Sequence, residues 1–310
     1  MTDDQSINLA VELGPLQLKN PVMAASGTFG YGQEYASLVP PERLGALVVK
    51  GISLQPRSGN PPPRIWETCG GMLNSIGLQN VGLRVFLQEK LPWLRPLQVP
   101  VIVNLFGNTV EEYKKLAEAL DDQDGISALE INISCPNVKA GGMVFGSDPG
   151  LVFEVVSGVR SKTTLPIITK LTPNVTDITV TARAAEDAGT DILSLINTVA
   201  GMAVDAHTRQ PRLATIVGGL SGPAIKPIAL RMVWQVVQVS KLPVIGLGGI
   251  VCVQDALEFL LVGAKAIQVG TANFINPRVT VEIISGLQEY LYQQGLTDIN
   301  EIIGALELPK

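Results

Sequence analysis

Short β-branched, apolar runs alternate with longer amphipathic stretches along nearly the whole chain, and this alternation restricts the fold more than any other feature. A strand buried on both faces shows up as a continuous apolar run, and its parallel neighbour is reached only through a crossover, usually a helix. Eight runs are legible: Val22–Ser26, Ala46–Gly51, Val101–Phe106, Ala128–Ser134, Ile167–Leu171, Ile192–Asn197, Val244–Gly248 and Ala266–Gly270. Between them, Thr109–Asp122 sets Val110, Tyr113, Leu116, Ala117 and Leu120 at helical spacing behind a threonine cap. Leu151–Lys162, Thr176–Ala188, Ala224–Ser240, Gln254–Val262 and Arg278–Gln294 follow the same pattern. Strands that each return through a crossover predict a closed (β/α)8 TIM barrel of the α/β class, because closure removes both sheet edges.

Two gaps are too long for plain connections, Ile52 to Pro100 and Thr198 to Gly222, and are expected to be βα-loop insertions over one barrel end. Val11–Leu18, turning at Gly14-Pro15, is expected to form an N-terminal hairpin closing the barrel floor. With no linker or low-complexity tract, residues 1–310 are taken as one domain.

Apolar residues make up 46% and charged residues 16%, with mean hydropathy +0.29, so a large core is expected and extended disorder is not. Lys plus Arg total 23 against 28 Asp plus Glu; the net charge of −5 disfavours nucleic acid as a partner. No run approaches the roughly 18 apolar residues of a spanning helix, and the N-terminus is acidic where a signal peptide is basic. The expectation is a cytoplasmic protein with no membrane partner. Cys69, Cys135 and Cys252 form no C-x-x-C pair, so no zinc or iron–sulfur site is expected on this chain. His207 is the only histidine, which excludes zincins and argues against a serine triad; its polar surroundings predict a surface position.

Reactive groups of such barrels sit at the C-terminal ends of the strands. Ser26, Lys50, Asn104, Asn132 with Cys135, Lys170, Asn197, Gly248-Gly249 and Gly270-Thr271 all fall there. Each lysine alone is as compatible with a structural ion pair as with a functional one; two together with three asparagines favour a site for a flat heterocycle with carbonyl and N–H edges. The glycines at the last two junctions suit a phosphate, although glycines by themselves more often only make tight turns. Cys135, ahead of a loop hinged by Gly141-Gly142 and Gly146, is a candidate base, whereas Cys252, on a helix, and Cys69 are taken as small buried hydrophobes.

Asn74-Ser-Ile-Gly-Leu-Gln-Asn80, Asn132-Ile-Ser-Cys-Pro-Asn137, Lys170-Leu-Thr-Pro-Asn174, Ile196-Asn-Thr198 and Gly218-Gly-Leu-Ser-Gly-Pro223 resemble, in order, motifs of the dihydroorotate dehydrogenases. The resemblance runs from about Asn8 to Ile302 and is closest to the NAD-linked class 1B catalytic subunits: Cys135 stands where class 2 enzymes carry serine, and Val138–Gly146 and Leu220–Pro227 follow the 1B pattern. It implies bound FMN, held by Ser26, Lys50, Gly51, Asn104, Asn132, Lys170, Ile196, Gly222, Gly248, Gly249, Gly270 and Thr271. It implies substrate contacts from Lys50, Asn74, Ser75, Ile76, Gly77, Leu78, Asn132, Asn197 and Thr198, with Cys135 as general base. It also implies a homodimer that joins a second subunit carrying FAD and a [2Fe–2S] cluster, in a heterotetramer delivering electrons to NAD. The rival readings are a fumarate-linked class 1A enzyme without a partner, a Schiff-base aldolase using Lys170, and a non-catalytic barrel binding a phosphate ligand.

Overall fold

The structure, a computed structural model, describes residues 7–134, 136–137 and 143–309. Eight parallel strands close a barrel in chain order: β1 (Val22–Ala24), β2 (Ala46–Ile52), β3 (Val101–Leu105), β4 (Ala128–Asn132), β5 (Ile167–Lys170), β6 (Ile192–Leu195), β7 (Val244–Leu247) and β8 (Ala266–Val269). Seven of the eight expected runs contain their strand whole, and the run Ala46–Gly51 falls one residue short of β2. Most runs extend a few residues past the ladder, because the last residues leave it to enter the βα loops.

The outer helices are α1 (Val110–Asp121), α2 (Pro149–Arg160), α3 (Ile178–Asp187), α4 (Lys226–Val239), α5 (Val253–Leu261) and α6 (Val279–Gln294). Their starts follow from capping chemistry. Thr109 Oγ1 accepts from Glu112 N at 3.2 Å, Asp148 Oδ1 from Leu151 N at 2.9 Å and Asp177 Oδ1 from Thr179 N at 2.9 Å. On α1, Tyr113, Leu116, Ala117 and Leu120 are the buried stripe. Among the described residues, no helix is long and apolar enough to cross a membrane.

Val11–Leu13 pairs antiparallel with Leu16–Leu18, as expected for the hairpin. Gly14, with φ +59°, packs against Pro243 and Ile192 at the starts of β7 and β6, so the hairpin closes the floor.

The two insertions are not separate loops. Ile65–Thr68, Gly71–Asn74, Val217–Ser221 and Val199–Met202 form one antiparallel four-stranded sheet, with the two insertions joined through Gly219↔Asn74 and Leu220↔Leu73. Residues 82–94 of the first insertion are largely helical. A Cβ on Gly219 would lie 2.1 Å from Thr198 Oγ1; glycine is needed there for the strands to approach.

Two cysteines also depart from expectation. Cys69 and Cys252 are exposed rather than buried. Cys69 lies on the turn between two strands of the inserted sheet, and Cys252 precedes α5 as its cap, with its thiol 3.4 Å from Asp255 Oδ2. His207 is exposed in a turn after Asp205, as expected.

Gly246 on β7 shows how closely helix and barrel pack: a Cβ there would stand 2.5 Å from Cδ1 of the fully buried Phe259 on α5. Gly246→Ala is expected to cost about 1–3 kcal/mol by overpacking, read as a lower urea midpoint with an unchanged slope.

Candidate functional site

A cavity of about 460 Å³ opens where the C-terminal strand ends meet the inserted sheet. Ser26, Lys50, Gly51, Asn104, Asn132, Lys170, Ile196, Gly222, Gly248, Gly249, Gly270 and Thr271 line it, as do Asn74, Ser75, Ile76, Gly77, Leu78, Asn197 and Thr198. Every expected site residue that the structure describes is therefore brought to one space. Cys135, the expected base, lies outside the described residues.

The centre of the site is a carboxylate that the sequence reading did not single out. Glu130, fully buried on β4, lies two residues before Asn132 and so shares its face of the strand. Glu130 Oε1 accepts from Asn104 Nδ2 at 2.7 Å and stands 3.6 Å from Lys170 Nζ. Its Oε2 accepts from Gln268 Nε2 at 2.8 Å and Ser194 Oγ at 3.3 Å. A buried carboxylate is tolerable only when paired and hydrogen-bonded, and here donors from β3, β5, β6 and β8 supply both. Lys170 Nζ also lies 3.5 Å from Ser26 Oγ. The ammonium is thereby fixed at the cavity floor, itself 5% exposed.

On one wall, Asn132 Oδ1 accepts from Ser134 N at 3.1 Å and Asn197 Nδ2 at 3.2 Å, and Asn197 Nδ2 also donates to Ser134 Oγ at 2.8 Å. Asn197 Oδ1 accepts from Thr198 N at 2.8 Å. Asn174 ties this wall to the inserted sheet, donating to Thr198 O at 3.1 Å and accepting from Ala200 N at 2.9 Å. Asn74, on the facing strand, donates to Gly219 O at 3.4 Å.

Lys50 reaches the cavity through a break in the β2–β3 register between Val49 and Ile52, so that Lys50 and the adjacent Gly51 both line it. Burial lowers the Lys50 pKa from the ordinary lysine value, and the nearby Arg64 guanidinium lowers it further. Arg64 is held by Asn60 O at 3.2 Å and Gln79 Oε1 at 2.6 Å, while Arg57 bonds Asn108 Oδ1 at 2.7 Å and lies over Phe106.

Gly222, at the entry to α4, and Gly248 and Gly249, just past β7, have φ of +97°, +127° and +79°. A Cβ on Gly249 would lie 2.8 Å from Lys226 Cβ, so the backbone there is bare by necessity. Lys226 Nζ meets Asp255 at 2.6 Å and Glu258 at 2.9 Å, and these bonds raise its pKa. Burial alone would push the Asp255 carboxyl up; bonds from Lys226, Val251 N and Cys252 outweigh this and hold it below the ordinary range. Thr271 Oγ1 bonds Ser221 Oγ at 2.7 Å across the rim.

Two buried side-chain atoms of lining residues, Gln268 Oε1 and Ser75 Oγ, have no hydrogen-bond partner. Both belong to residues that line the cavity, and buried polar atoms are ordinarily paired. The polar set is two ammonium groups, Lys170 and Lys50, beside neutral amides with a glycine cradle at one side, which suits a planar heterocycle carrying an anionic arm. Among the described residues, no cluster of three or more His, Cys, Asp or Glu side chains is placed to hold a metal ion. Glu130, Gln268, Ser134 and Ser221 were not anticipated. Ser134 was legible, since it stands between Asn132 and Cys135 at a strand end.

Comparison with known proteins gives this geometry a family. The family model described as Dihydroorotate dehydrogenase matches residues 8–291. The chain is 59% identical over 299 residues to a protein of Geotalea uraniireducens named Dihydroorotate dehydrogenase B (NAD(+)), catalytic subunit, covering 96% of this chain and 98% of that one. Proteins of the same name from Geobacter sulfurreducens and Desulforamulus reducens are each 58% identical, over 98% and 97% of this chain and 100% and 99% of theirs.

The lowered Lys50 pKa has a testable consequence. A carboxylate ligand favours the charged amine, so binding is full below the pKa of Lys50 and weakens as pH rises through it. Arg64→Leu removes a repulsive charge and returns that pKa toward its ordinary value. The alkaline fall in orotate affinity, measured by titration across the alkaline range, should move to higher pH in the variant; an unmoved midpoint would separate Arg64 from Lys50.

Proposed function

The chain belongs to the dihydroorotate dehydrogenase family, and on that premise we propose that it oxidises (S)-dihydroorotate to orotate in pyrimidine synthesis, as a single FMN-binding barrel. The observation that carries this reading is the buried Lys170 ammonium, set on Glu130 among amides in the cavity. When bound, FMN would supply the hydride-accepting chemistry for carbon 6 of the substrate. The remaining chemistry belongs to the side chains.

Cys135 removes the proton from carbon 5, its thiolate acting as the base. Lys170 meets the negative charge that develops on the ring system beside it, in a site where water does not compete. Asn74, Asn132, Asn197 and Thr198 hold the pyrimidine edges of the substrate, and Lys50 pairs with its carboxylate. Residues 74–78 close over it from the first insertion. The bare backbone of Gly222, Gly248 and Gly249, with Gly270 and Thr271, receives the phosphate of FMN. Ser26, Gly51, Asn104 and Ile196 complete the cofactor site.

Electrons leave through a partner subunit carrying FAD and a [2Fe–2S] cluster, with NAD as final acceptor, on a homodimer of this chain in a heterotetramer in the cytoplasm. The relatives' name, with its NAD(+) and catalytic subunit, supports this route over fumarate. An assay of the isolated chain separates the two: efficient fumarate reduction without a second subunit would overturn the NAD-linked reading.

The purified chain should be yellow, and anaerobic dihydroorotate should bleach its absorption. Cys135→Ser should retain FMN while dihydroorotate oxidation falls about 10²–10⁴-fold near neutral pH, the range of a lost general base. Turnover close to the parent rate would place the base elsewhere.

A further inference from the structure

Among the described residues, Leu78, Arg209 and Ile216 are the non-glycines with positive φ, and of these only Leu78, at +56°, lines the cavity. A left-handed backbone crowds the Cβ of an L-residue against the following carbonyl oxygen, so the surroundings must hold it there. The nearest means is Asn80, 8% exposed. Its Oδ1 accepts from Gly82 N at 2.8 Å and from Ser53 N at 3.2 Å. Backbone N–H groups only donate, which fixes the amide one way round. Its Nδ2 therefore donates to Leu78 O at 2.8 Å and to Ser53 Oγ at 3.0 Å. Ser53 directly follows β2, so these bonds tie the turn to the barrel. The backbone of Asn80 is itself anchored: its N donates to Arg57 O at 3.1 Å, and Arg57 N to Asn80 O at 3.0 Å.

A second asparagine holds the start of the same turn. Asn60 N donates to Ile76 O at 3.0 Å and Asn60 Nδ2 to Ser75 O at 2.9 Å. In a planar trans peptide the N–H runs opposite to the C=O, so the N–H groups of Ile76 and Gly77 point away from Asn60. Among the described residues neither has a partner. Beyond Ile76 the hold of Asn60 ends, and Asn80 Nδ2 makes the one bond to Leu78 O among the described residues.

We propose that Asn80 is a positioning residue for the substrate: its bond to Leu78 O keeps Leu78 left-handed and so fixes the Ile76–Leu78 edge of the cavity before a ligand arrives. The proposal rests on the reading above, in which residues 74–78 close over dihydroorotate, and adds the group that sets their shape. Asn80 does not line the cavity and acts through Leu78. Without its bond Leu78 relaxes to an ordinary backbone conformation, and the ligand must restore the strained turn at a cost in affinity. Glycine occupies the left-handed region without that penalty, which makes the mechanism separable from simple loosening.

The test measures orotate binding to the FMN-loaded chain by calorimetry. Asn80→Ala should raise the dissociation constant about tenfold, the order of the penalty for a left-handed non-glycine residue. Adding Leu78→Gly to that variant should recover about threefold or more of the loss. In the parent, Leu78→Gly should instead weaken orotate, because the leucine side chain packs against the core. One substitution acting with opposite sign in the two backgrounds is the expected signature, with FMN affinity unchanged throughout. Asn80→Asp keeps the oxygen that accepts from Gly82 N and Ser53 N and removes the donor to Leu78 O. It should show the same rescue, and it decides the matter if the alanine variant does not fold. A purely structural role for Asn80 would weaken FMN and orotate together, and Leu78→Gly would lower affinity in both backgrounds; that result overturns the proposal alone. A parent chain that takes up no FMN, or binds no orotate when loaded, overturns it together with the reading on which it rests.

Discussion

The buried pairing of Glu130 with Lys170 is the interaction on which the cavity depends. Two ions taken out of water each lose several kcal/mol of solvation, and their mutual attraction compensates only when the remaining lone pairs are also satisfied. At Glu130 that condition draws in Asn104, Gln268 and Ser194 along with Lys170, from β3, β8, β6 and β5. One carboxylate on β4 thus fastens together the inward-facing polar ends of strands that are not all neighbours in the sheet. The registers Asn104↔Glu130, Asn132↔Lys170 and Lys170↔Ser194 put these residues at nearly one level of the barrel. The Lys170 ammonium at the cavity floor is therefore part of the same lattice that closes the barrel top.

This arrangement explains how the strand ends present fixed polar groups to the cavity. Side chains two apart on a strand share a face, so Glu130 inside the barrel and Asn132 at its mouth point the same way. The lower residue is satisfied by neighbouring strands, while the upper one bonds Ser134 N and Asn197 Nδ2 and lines the cavity. Rigid strands fix both, which holds the amides closer to a set geometry than mobile loops would.

The barrel was legible because eight buried parallel strands leave eight apolar runs, and because a lysine or asparagine closing such a run is conspicuous. Glu130 and Gln268 were not, for the opposite reason. Each is a polar residue within an apolar run, where it looks like a flaw in the strand, and the partner that resolves the flaw lies 138 positions away. The inserted sheet was hidden in the same manner: Asn74 and Gly219, bonded across its middle, are 145 positions apart, and Gly218-Gly219 shows none of the alternation that marks a strand. Cys252 misled because its apolar neighbours suggest burial, whereas its place ahead of α5 exposes it and directs its thiol to Asp255. Local pattern reports what a residue does to its own element; satisfaction of a buried charge is a property of the closed barrel.

The inserted sheet changes what the site can be. If the two insertions were independent loops, Asn74 on one and Thr198 on the other would meet only when a ligand drew them together, and the ordering entropy would weaken binding. They are instead hydrogen-bonded to each other through Gly219↔Asn74 and Leu220↔Leu73, and Asn174, just past β5, pins Thr198 and Ala200 to the barrel. The wall opposite the Lys170 floor is thus assembled by the protein's own hydrogen bonds. A planar ligand entering between them meets two preorganised faces, one cationic and amide-lined, the other a sheet carrying asparagine, serine and backbone groups. Binding energy that loose insertions would spend on ordering is left for orientation, the quantity that a reaction removing a proton from one carbon and a hydride from its neighbour most requires.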